Sequence, residues 1–320
     1  MKAILVALVV FAATSTANAA ETYPARPIRT ILPNPPGGAT DVVARIVTQK
    51  MTAILGQQMV VDNRGGAGGA LGAELAARAT PDGYTVLVAS FATHTIVPHL
   101  QKKIGYDPLH DFVPIALFAV QYALLSANLN FAPNTVKDLI AYAKARPGAI
   151  NYGSAGPGST SDFTGRMFAR MANIEITIVP YRGGGAIVPA LLAGEAQLNF
   201  GPIPAMGALV KAGRLKGIAV SGPTRSAALP DVPTVAEAGL PGFSASGWVG
   251  LAAPRGTPRQ LVERLAAAAV QAVKDPNVRQ QLIRSGAEPA PKAAKEFEKF
   301  VREEYERYGK IVAELGLGPR

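Results

Sequence analysis

The stretch IRTILPNPPGGATDVVARIVTQKMTAILG, residues 28–56, determines the fold. Ile28–Leu32 is short and rich in β-branched residues, which indicates a strand. Pro33–Gly38 cannot continue that strand and predicts a loop. From Thr40 to Leu55 the apolar residues recur on one helical face, and Gly56 ends the helix. A strand, a glycine-containing loop and an amphipathic helix in this order begin a β-α-β unit.

The same alternation continues along the chain. Met59–Val61 is a second strand, Leu71–Arg78 a helix, and Tyr84–Ala89 a third strand. This order predicts a parallel, right-handed, doubly wound sheet. A second alternation has predicted helices at 136–145, 159–171 and 187–192, and predicted strands at 150–153, 176–179, 196–200 and 215–221.

Two segments connect these sets. Phe112–Leu125 is strand material that we expect to cross between two lobes. After a connection rich in Pro, Gly and Ser over 222–247, a strand at 248–253 and an amphipathic helix near 295–315 return the chain to the first lobe. We therefore predict an α/β protein with a mainly parallel sheet, flanked by helices, in each lobe. Lobe 1 comprises residues 21–120 and 244–320, and lobe 2 comprises residues 121–243.

The first twenty residues have the features of a secretory signal peptide. Lys2 precedes the apolar stretch Ala3–Ala13, and Ala17-Asn18-Ala19 predicts cleavage near Ala19-Ala20. An apolar run of this length is well short of the roughly 20 residues that cross a bilayer. The chain has no cysteine, which excludes a lipid-modified cysteine, disulfides and zinc–thiolate sites. We predict an exported, periplasmic protein.

The formal net charge of the chain is +10. Its Lys and Arg residues are scattered, and no run of five basic residues or basic stripe with interleaved aromatics occurs. A nucleic-acid partner is therefore not expected. The charge either attracts anionic solutes over a distance or is an ordinary solvated surface.

Three loops place glycines and small residues directly before a predicted helix. They are residues 36–41, 154–160 and 181–186. The first N–H groups of a helix lack internal partners and carry a partial positive charge, so such a loop can bind a carboxylate without Lys or Arg. Asp41 and Ser159 have a structural alternative, since both residue types cap helices. We favour the structural cap for Asp41, because its charge would repel an anion.

Enzyme and cofactor motifs are weak or missing in the sequence. Gly153-Ser154-Ala155-Gly156 resembles part of a nucleophile elbow, but Tyr152 stands where the first glycine belongs. The three histidines lie upstream, at 94, 99 and 110, so a hydrolase that uses Ser154 stays a remote alternative. No metal-ligand spacing, phosphate loop or dinucleotide fingerprint occurs, and no metal or cofactor is predicted.

The chain resembles the solute-binding receptors of tripartite tricarboxylate transporters, also called the Bug family. The resemblance covers essentially the whole chain after the signal peptide. Its motifs are Pro36-Gly37-Gly38 with Asp41, Asn63-Arg64 with Gly66-Ala67-Gly68-Gly69, Pro81-Asp82-Gly83-Tyr84, Pro180-Tyr181-Arg182-Gly183, Leu229-Pro230-Asp231-Val232-Pro233-Thr234, and Trp248 with Gly250-Leu251.

This resemblance implies a non-enzymatic periplasmic binding protein of the two-lobed Venus flytrap type. It implies a small carboxylate as ligand, a membrane permease as partner, and a monomer. A sensor kinase is the alternative partner. The ligand-binding residues that it implies, together with the loops above, are Asn34, Gly37, Gly38, Ala39, Thr40, Phe91, Ala92, Thr93, Ser154, Gly158, Ser159, Thr160, Tyr181, Arg182, Gly183, Gly184 and Ala186. Asn34 stands where the family usually has an aromatic residue.

Overall fold

The computed structural model describes residues 23–156 and 159–318, so the predicted signal peptide and Gly158 lie outside the described residues. Ten strands in this part form one continuous sheet. In chain order they are β1 (Ile28–Leu32), β2 (Met59–Asn63), β3 (Thr85–Ser90), β4 (Phe112–Ala127), β5 (Asn151–Ser154), β6 (Thr177–Pro180), β7 (Leu198–Pro202), β8 (Lys216–Val220), β9 (Ser246–Pro254) and β10 (Ala287–Ala293).

Helices pack against both halves of this sheet. They are α1 (Ala39–Leu55), α2 (Ala70–Ala77), α3 (Val97–Leu100), α4 (Val136–Ala145), α5 (Thr160–Ala172), α6 (Gly184–Ala193), α7 (Ile203–Lys211), α8 (Arg259–Lys274), α9 (Pro276–Arg284) and α10 (Ala294–Glu314). A π-helical turn, Ala92–Ile96, lies between β3 and α3. None of the helices in the described part is both long and apolar enough to cross a bilayer.

The long strand β4 joins the two parts of this sheet, which are called sheet A and sheet B below. Its first part, residues 112–122, pairs with β9 and β10 in sheet A, which also contains β1, β2 and β3. Its last part, residues 123–127, pairs with β7 and β8 in sheet B, which also contains β5 and β6. The predicted α/β fold and the crossing strand are therefore confirmed.

Parallel pairing occurs at the outer end of each sheet. Strands β2, β1 and β3 are parallel in sheet A, and β6, β5 and β7 are parallel in sheet B. The strands β4, β8, β9 and β10 add antiparallel pairs between these ends. Both sheets are therefore mixed, and the prediction of a mainly parallel sheet in each lobe is wrong. Because the carboxyl ends of parallel strands share one edge, the loops that follow them face the space between the sheets.

The apolar faces predicted from the sequence form the core. In α1, Val43, Val47 and Met51 are fully buried between sheet A and α8. In α10, Phe297 and Tyr308 are fully buried, and the Phe297 ring meets Trp248 of β9 edge-on at 5.5 Å between centroids. The Tyr308 ring also lies 5.5 Å from that of Phe163 in α5. The last helix therefore packs on sheet A, as predicted, and also contacts a helix of sheet B.

Several elements lie where the sequence pattern predicts none, among them α7, α9 and β10. The α7 sequence contains an early proline and a central glycine, which weaken its helical signal. The β10 sequence AEPAPKA holds two prolines, which a strand tolerates only where their missing N–H groups are not needed. The strand β10 pairs with β4 alone, so its other edge needs no N–H donors. Its pairing with β4 therefore stabilises a strand that its own sequence does not favour.

Candidate functional site

A cavity of about 380 Å³ lies between the two sheets. Gln121, Tyr122 and Ala123 line it at the point where β4 passes from sheet A to sheet B. Within residues 23–156 and 159–318, no Asp, Glu, Lys, Arg or His side chain lines this cavity. A larger depression of about 900 Å³ lies on the outside, near Lys50 and Lys274, but none of the three glycine loops borders it.

All three glycine loops contribute to the cavity wall. Eight of the predicted ligand-binding residues line it, namely Asn34, Ala39, Thr40, Phe91, Ala92, Ser159, Thr160 and Gly184. They come from the starts of α1, α5 and α6 and from the end of β3. The loops therefore converge on one space from both sheets, as the carboxyl ends of their strands require.

Four of the predicted residues do not line the cavity but lie in the loops that form its wall. They are Gly37, Gly38, Thr93 and Ser154. Gly37 donates its N–H to the Asp41 carboxylate at 3.0 Å. Gly38 is the N-cap of α1. Thr93 is fully buried, and its hydroxyl lies 3.0 Å from the His94 Nδ1 atom. The Ser154 hydroxyl, also fully buried, donates within its own loop.

The remaining predicted residues belong to the loop between β6 and α6. Tyr181 is half-buried and packs near Gly153, and Gly183 donates its N–H to the Tyr181 carbonyl. Arg182 and Ala186 are exposed. The guanidinium of Arg182 therefore lies outside the wall. Of this loop, only Gly184 lines the cavity, because it alone stands at the first position of α6.

The start of α1 presents unpaired N–H groups to the cavity. No side chain caps the helix at Gly38, and Ala39 and Thr40 at its first two positions line the wall. The first N–H groups of a helix have no intrahelical acceptor. These two amides are therefore oriented donors, placed at the positive end of a 17-residue helix.

The prediction that Asp41 caps α1 would require it to be the N-cap. Gly38 is the N-cap instead, and Asp41 stands at the third helical position. Its buried carboxylate accepts hydrogen bonds from Gly37 N–H, the Arg45 guanidinium and the Asn63 amide, at 2.9–3.0 Å. Burial alone would raise the pKa of this carboxyl, but these hydrogen bonds outweigh it and lower the pKa below its usual value. Asp41 thus fixes the loop from the side away from the cavity.

The start of α5 is built differently. Ser159 is its N-cap, and the Ser159 hydroxyl accepts the Asp162 N–H at 3.2 Å. The Ser161 hydroxyl accepts the Ala155 N–H at 2.9 Å. The Asp162 carboxylate, in turn, accepts the Arg166 guanidinium at 3.1 Å. Here a hydroxyl of the protein occupies the N–H group at the third helical position, whereas no side chain caps the start of α1.

The sequence did not predict several residues of the wall. The most polar of them are Gln121 in β4, Asn199 in β7 and Ser285 before β10. Trp248 in β9 also lines the cavity, and its indole N–H has no hydrogen-bond partner among the described residues. No local motif marks Gln121, Asn199 or Ser285, and the motif that contains Trp248 gave this residue no role in ligand binding. The only available signal was the length of the strand around Gln121, which predicts that it passes between the lobes.

The geometry around Ser154 does not supply a nucleophile pair. Its hydroxyl donates to the Gly156 carbonyl at 3.3 Å and lies 3.4 Å from the Asp162 carboxylate. His94 is buried beside Thr93 and Trp248, His99 bonds to the Tyr305 carbonyl, and His110 pairs with Asp107. In the part of the chain that is described, no histidine makes a hydrogen bond to Ser154.

Comparison with known proteins identifies the family. Residues 43–317 match the sequence model of the tripartite tricarboxylate transporter family receptor. Protein BugT of Bordetella pertussis is 34% identical over 99% of this chain and 98% of its own length. A Pseudomonas protein of the UPF0065 group is 36% identical over 98% of this chain and 93% of its own length.

Solved structures agree with this match. A periplasmic transporter structure is 40% identical, with a TM-score of 0.81 over 92% of this chain and 99% of its own. An R. palustris protein solved with adipate is 32% identical, with a TM-score of 0.82 over 93% and 100% of the two chains. MatC from Rhodopseudomonas palustris, solved with malate, is 35% identical, with a TM-score of 0.77 over 91% and 100%. The chain described here therefore belongs to the tripartite tricarboxylate transporter receptor family, whose members are solute-binding proteins.

Proposed function

We propose that this protein binds a small organic carboxylate in the cavity between its sheets and delivers it to a membrane permease of the tripartite tricarboxylate type. One observation carries the proposal. The uncapped start of α1, with Ala39 and Thr40, lines a cavity in whose described wall no charged side chain lies. Oriented amide donors in a water-poor site bind an anion without a counter-charge.

The relatives support this choice of ligand class. The two R. palustris proteins solved with adipate and with malate share the fold over more than nine-tenths of this chain. Both ligands carry carboxylates, which the start of a helix binds well. The formal charge of +10 favours the approach of an anion from a distance.

The proposal includes the remaining sequence predictions. The protein acts in the periplasm after cleavage near Ala19-Ala20, works as a monomer and catalyses no reaction. Residues 21–120 with 244–320 form one lobe, and residues 121–243 form the other. Closure of these lobes would enclose the solute between the starts of α1 and α5.

A thermal-shift screen of mono- and dicarboxylates on the purified protein tests the proposal. An acid present at 100 times its dissociation constant adds about 2.7 kcal/mol to the free energy of unfolding. Diamines and neutral sugars in the same screen are the controls and should leave the melting temperature unchanged. The proposal fails if no acid of a broad panel raises the melting temperature, or if a diamine does so instead. Uptake of the identified acid by cells with and without the permease tests delivery.

A further inference from the structure

About half of the polar side chains of the cavity wall already have partners within the protein. The Ser159 and Ser161 hydroxyls accept backbone N–H groups, and the Asn199 amide donates to the Gly153 carbonyl at 2.7 Å. The hydroxyls of Ser90, Tyr122 and Ser285 are bonded to Thr93, Thr224 and the Leu282 carbonyl, respectively. These hydrogen bonds stabilise the wall, and of this set only the Asn199 carboxamide oxygen is buried without a partner among the described residues.

A second set of polar side chains has no such partners. The side chains of Asn34, Thr40, Gln121, Thr160 and Thr164 line the cavity, and none makes a hydrogen bond to another described residue. This set divides in two by position. Asn34 lies in the loop between β1 and α1, and Thr40 lies at the start of α1, where the proposed carboxylate binds. The other three residues line a second, smaller space together.

Those three residues surround a small extension of the cavity. Gln121, Thr160 and Thr164 also line a side pocket of about 20 Å³, which shares six wall residues with the main cavity. Phe91 and Phe163, both almost fully buried, form its apolar sides, and Ser246 adds a hydroxyl. A deep, narrow space therefore holds a carboxamide and several hydroxyls that the protein itself does not use.

We infer that this side pocket selects a solute that carries a hydroxyl group in addition to its carboxylate, so that the protein is a hydroxycarboxylate receptor in which Gln121 determines specificity. The inference deepens the proposed function and rests on it. The carboxylate binds at the start of α1, and the hydroxyl group enters the side pocket, where it bonds to Gln121 and to the two threonines.

Size and charge both favour a hydroxyl over other groups. A space of about 20 Å³ holds one water-sized group, since roughly 10–15 Å³ is enough for one, whereas a carboxylate has three heavy atoms. An ammonium group would lose its hydration without a counter-charge, because no charged side chain lines the pocket within the described residues. A hydroxyl both donates and accepts, as do the carboxamide and the threonine hydroxyls.

Matched pairs of acids test this inference by calorimetric titration. Each enantiomer of malate is compared with succinate, and each enantiomer of 3-hydroxybutyrate with butyrate. We expect one hydroxylated acid to bind about tenfold more tightly than its partner, as for a well-formed hydrogen bond in a buried site. Gln121→Met and Thr164→Val remove the bonding groups with little change of shape. Each should reduce the preference to about threefold or less.

Gln271→Met, on the exposed side of α8, is the matched control and should keep the full preference. Equal affinity of the wild type for both members of every pair would overturn the inference and leave carboxylate binding intact. A preference that survives in both variants would also overturn it. If Gln121→Met fails to fold, Thr164→Val alone decides. Absence of binding to any acid would instead refute the proposed function, and the inference with it.

Discussion

The starts of α1 and α5 are built alike but differ in how their first N–H groups find acceptors. Each follows a strand and a glycine-containing loop, and each lines the cavity from its own sheet. Each places an aspartate at the third helical position and an arginine four residues later. The pairs are Asp41–Arg45 at 2.9 Å and Asp162–Arg166 at 3.1 Å, and both aspartate side chains are 5% exposed. None of these four residues lines the cavity, so the repeated pair stabilises each loop from the side away from it.

The difference lies in the N-cap. Ser159 caps α5 with its own hydroxyl, whereas Gly38 leaves α1 uncapped. A serine at an N-cap stabilises a helix because it satisfies one of the unpaired N–H groups, and glycine does not. The start of α1 therefore has one more N–H group without a side-chain acceptor, which is available to the proposed ligand. The comparison teaches that binding capacity and local stability compete for the same backbone groups.

The largest expected effect comes from removing the shared aspartate. Asp41→Ala should lower the free energy of unfolding by about 2–3 kcal/mol, because Gly37, Arg45 and Asn63 lose a charged acceptor. Urea unfolding measures this change. Asp138→Ala, at an exposed aspartate in the first turn of α4, is the control and should change stability by less than about 0.5 kcal/mol. Equal effects of the two variants would contradict the role of Asp41.

The same aspartate predicts the response of stability to acid. The pKa of Asp41 is lower in the folded protein than its usual value of 3.8. The contribution of this carboxylate to the free energy of unfolding is therefore fully present well above pH 4. The contribution is lost as the pH falls through the folded pKa. Asp41→Ala should therefore narrow the difference in stability between pH 7 and pH 3 relative to the wild type.

A second substitution makes α1 resemble α5. Gly38 has φ −73°, and a Cβ added there would lie 3.7 Å from the nearest atom, so serine fits without strain. Gly38→Ser should bind the solute about tenfold more weakly, because the new hydroxyl accepts an N–H at the start of α1. The free energy of unfolding should stay the same or rise by a few tenths of a kcal/mol. Titration and urea unfolding measure the two changes, and unchanged affinity would refute the role of the uncapped start.

A smaller effect is expected when α5 loses its cap. Ser159→Ala should lower the free energy of unfolding by about 1 kcal/mol. The matched control is Thr135→Ala, since Thr135 caps α4 in the same way and does not line the cavity. Both should destabilise the protein to a similar extent in urea, but only Ser159→Ala should also alter affinity. An equal affinity for both variants would show that Ser159 is a cap alone.

Local signals explain how well the first half of the fold was predicted. The predicted strand Ile28–Leu32 coincides with β1, and the predicted start of the α1 helix differs from the observed start by one residue. In these stretches the apolar period, the prolines and the glycine at the end all indicate the same structure. The strand β10 has no such agreement, because its prolines oppose a strand and only pairing with β4 forms it.

The residues of the cavity wall also divide into those that a local sequence signal predicted and those that it did not. The starts of α1, α5 and α6 were predicted, because a glycine loop before a helix is visible in sequence. Gln121, Asn199 and Trp248 were not, because they reach the cavity through antiparallel pairing with partners far along the chain. Arg182 was predicted as a ligand-binding residue; it is exposed and does not line the cavity, so its contact with the ligand stays a prediction. Side-chain chemistry alone does not reveal which face of a loop meets the solute.

The smallest expected effect concerns the pH dependence of binding, because we expect affinity to stay almost constant. If both helix starts bind an anion through amides and hydroxyls, affinity for an ionised acid should vary by less than about twofold from pH 6 to pH 9, measured by titration calorimetry. Nearby groups do not titrate there: burial lowers the pKa of His94, behind Trp248, to about 3, and burial raises that of Tyr122. A step near pH 6.5 would mean that a histidine contacts the solute, and the contrast between the capped and uncapped helices would then no longer explain where it binds.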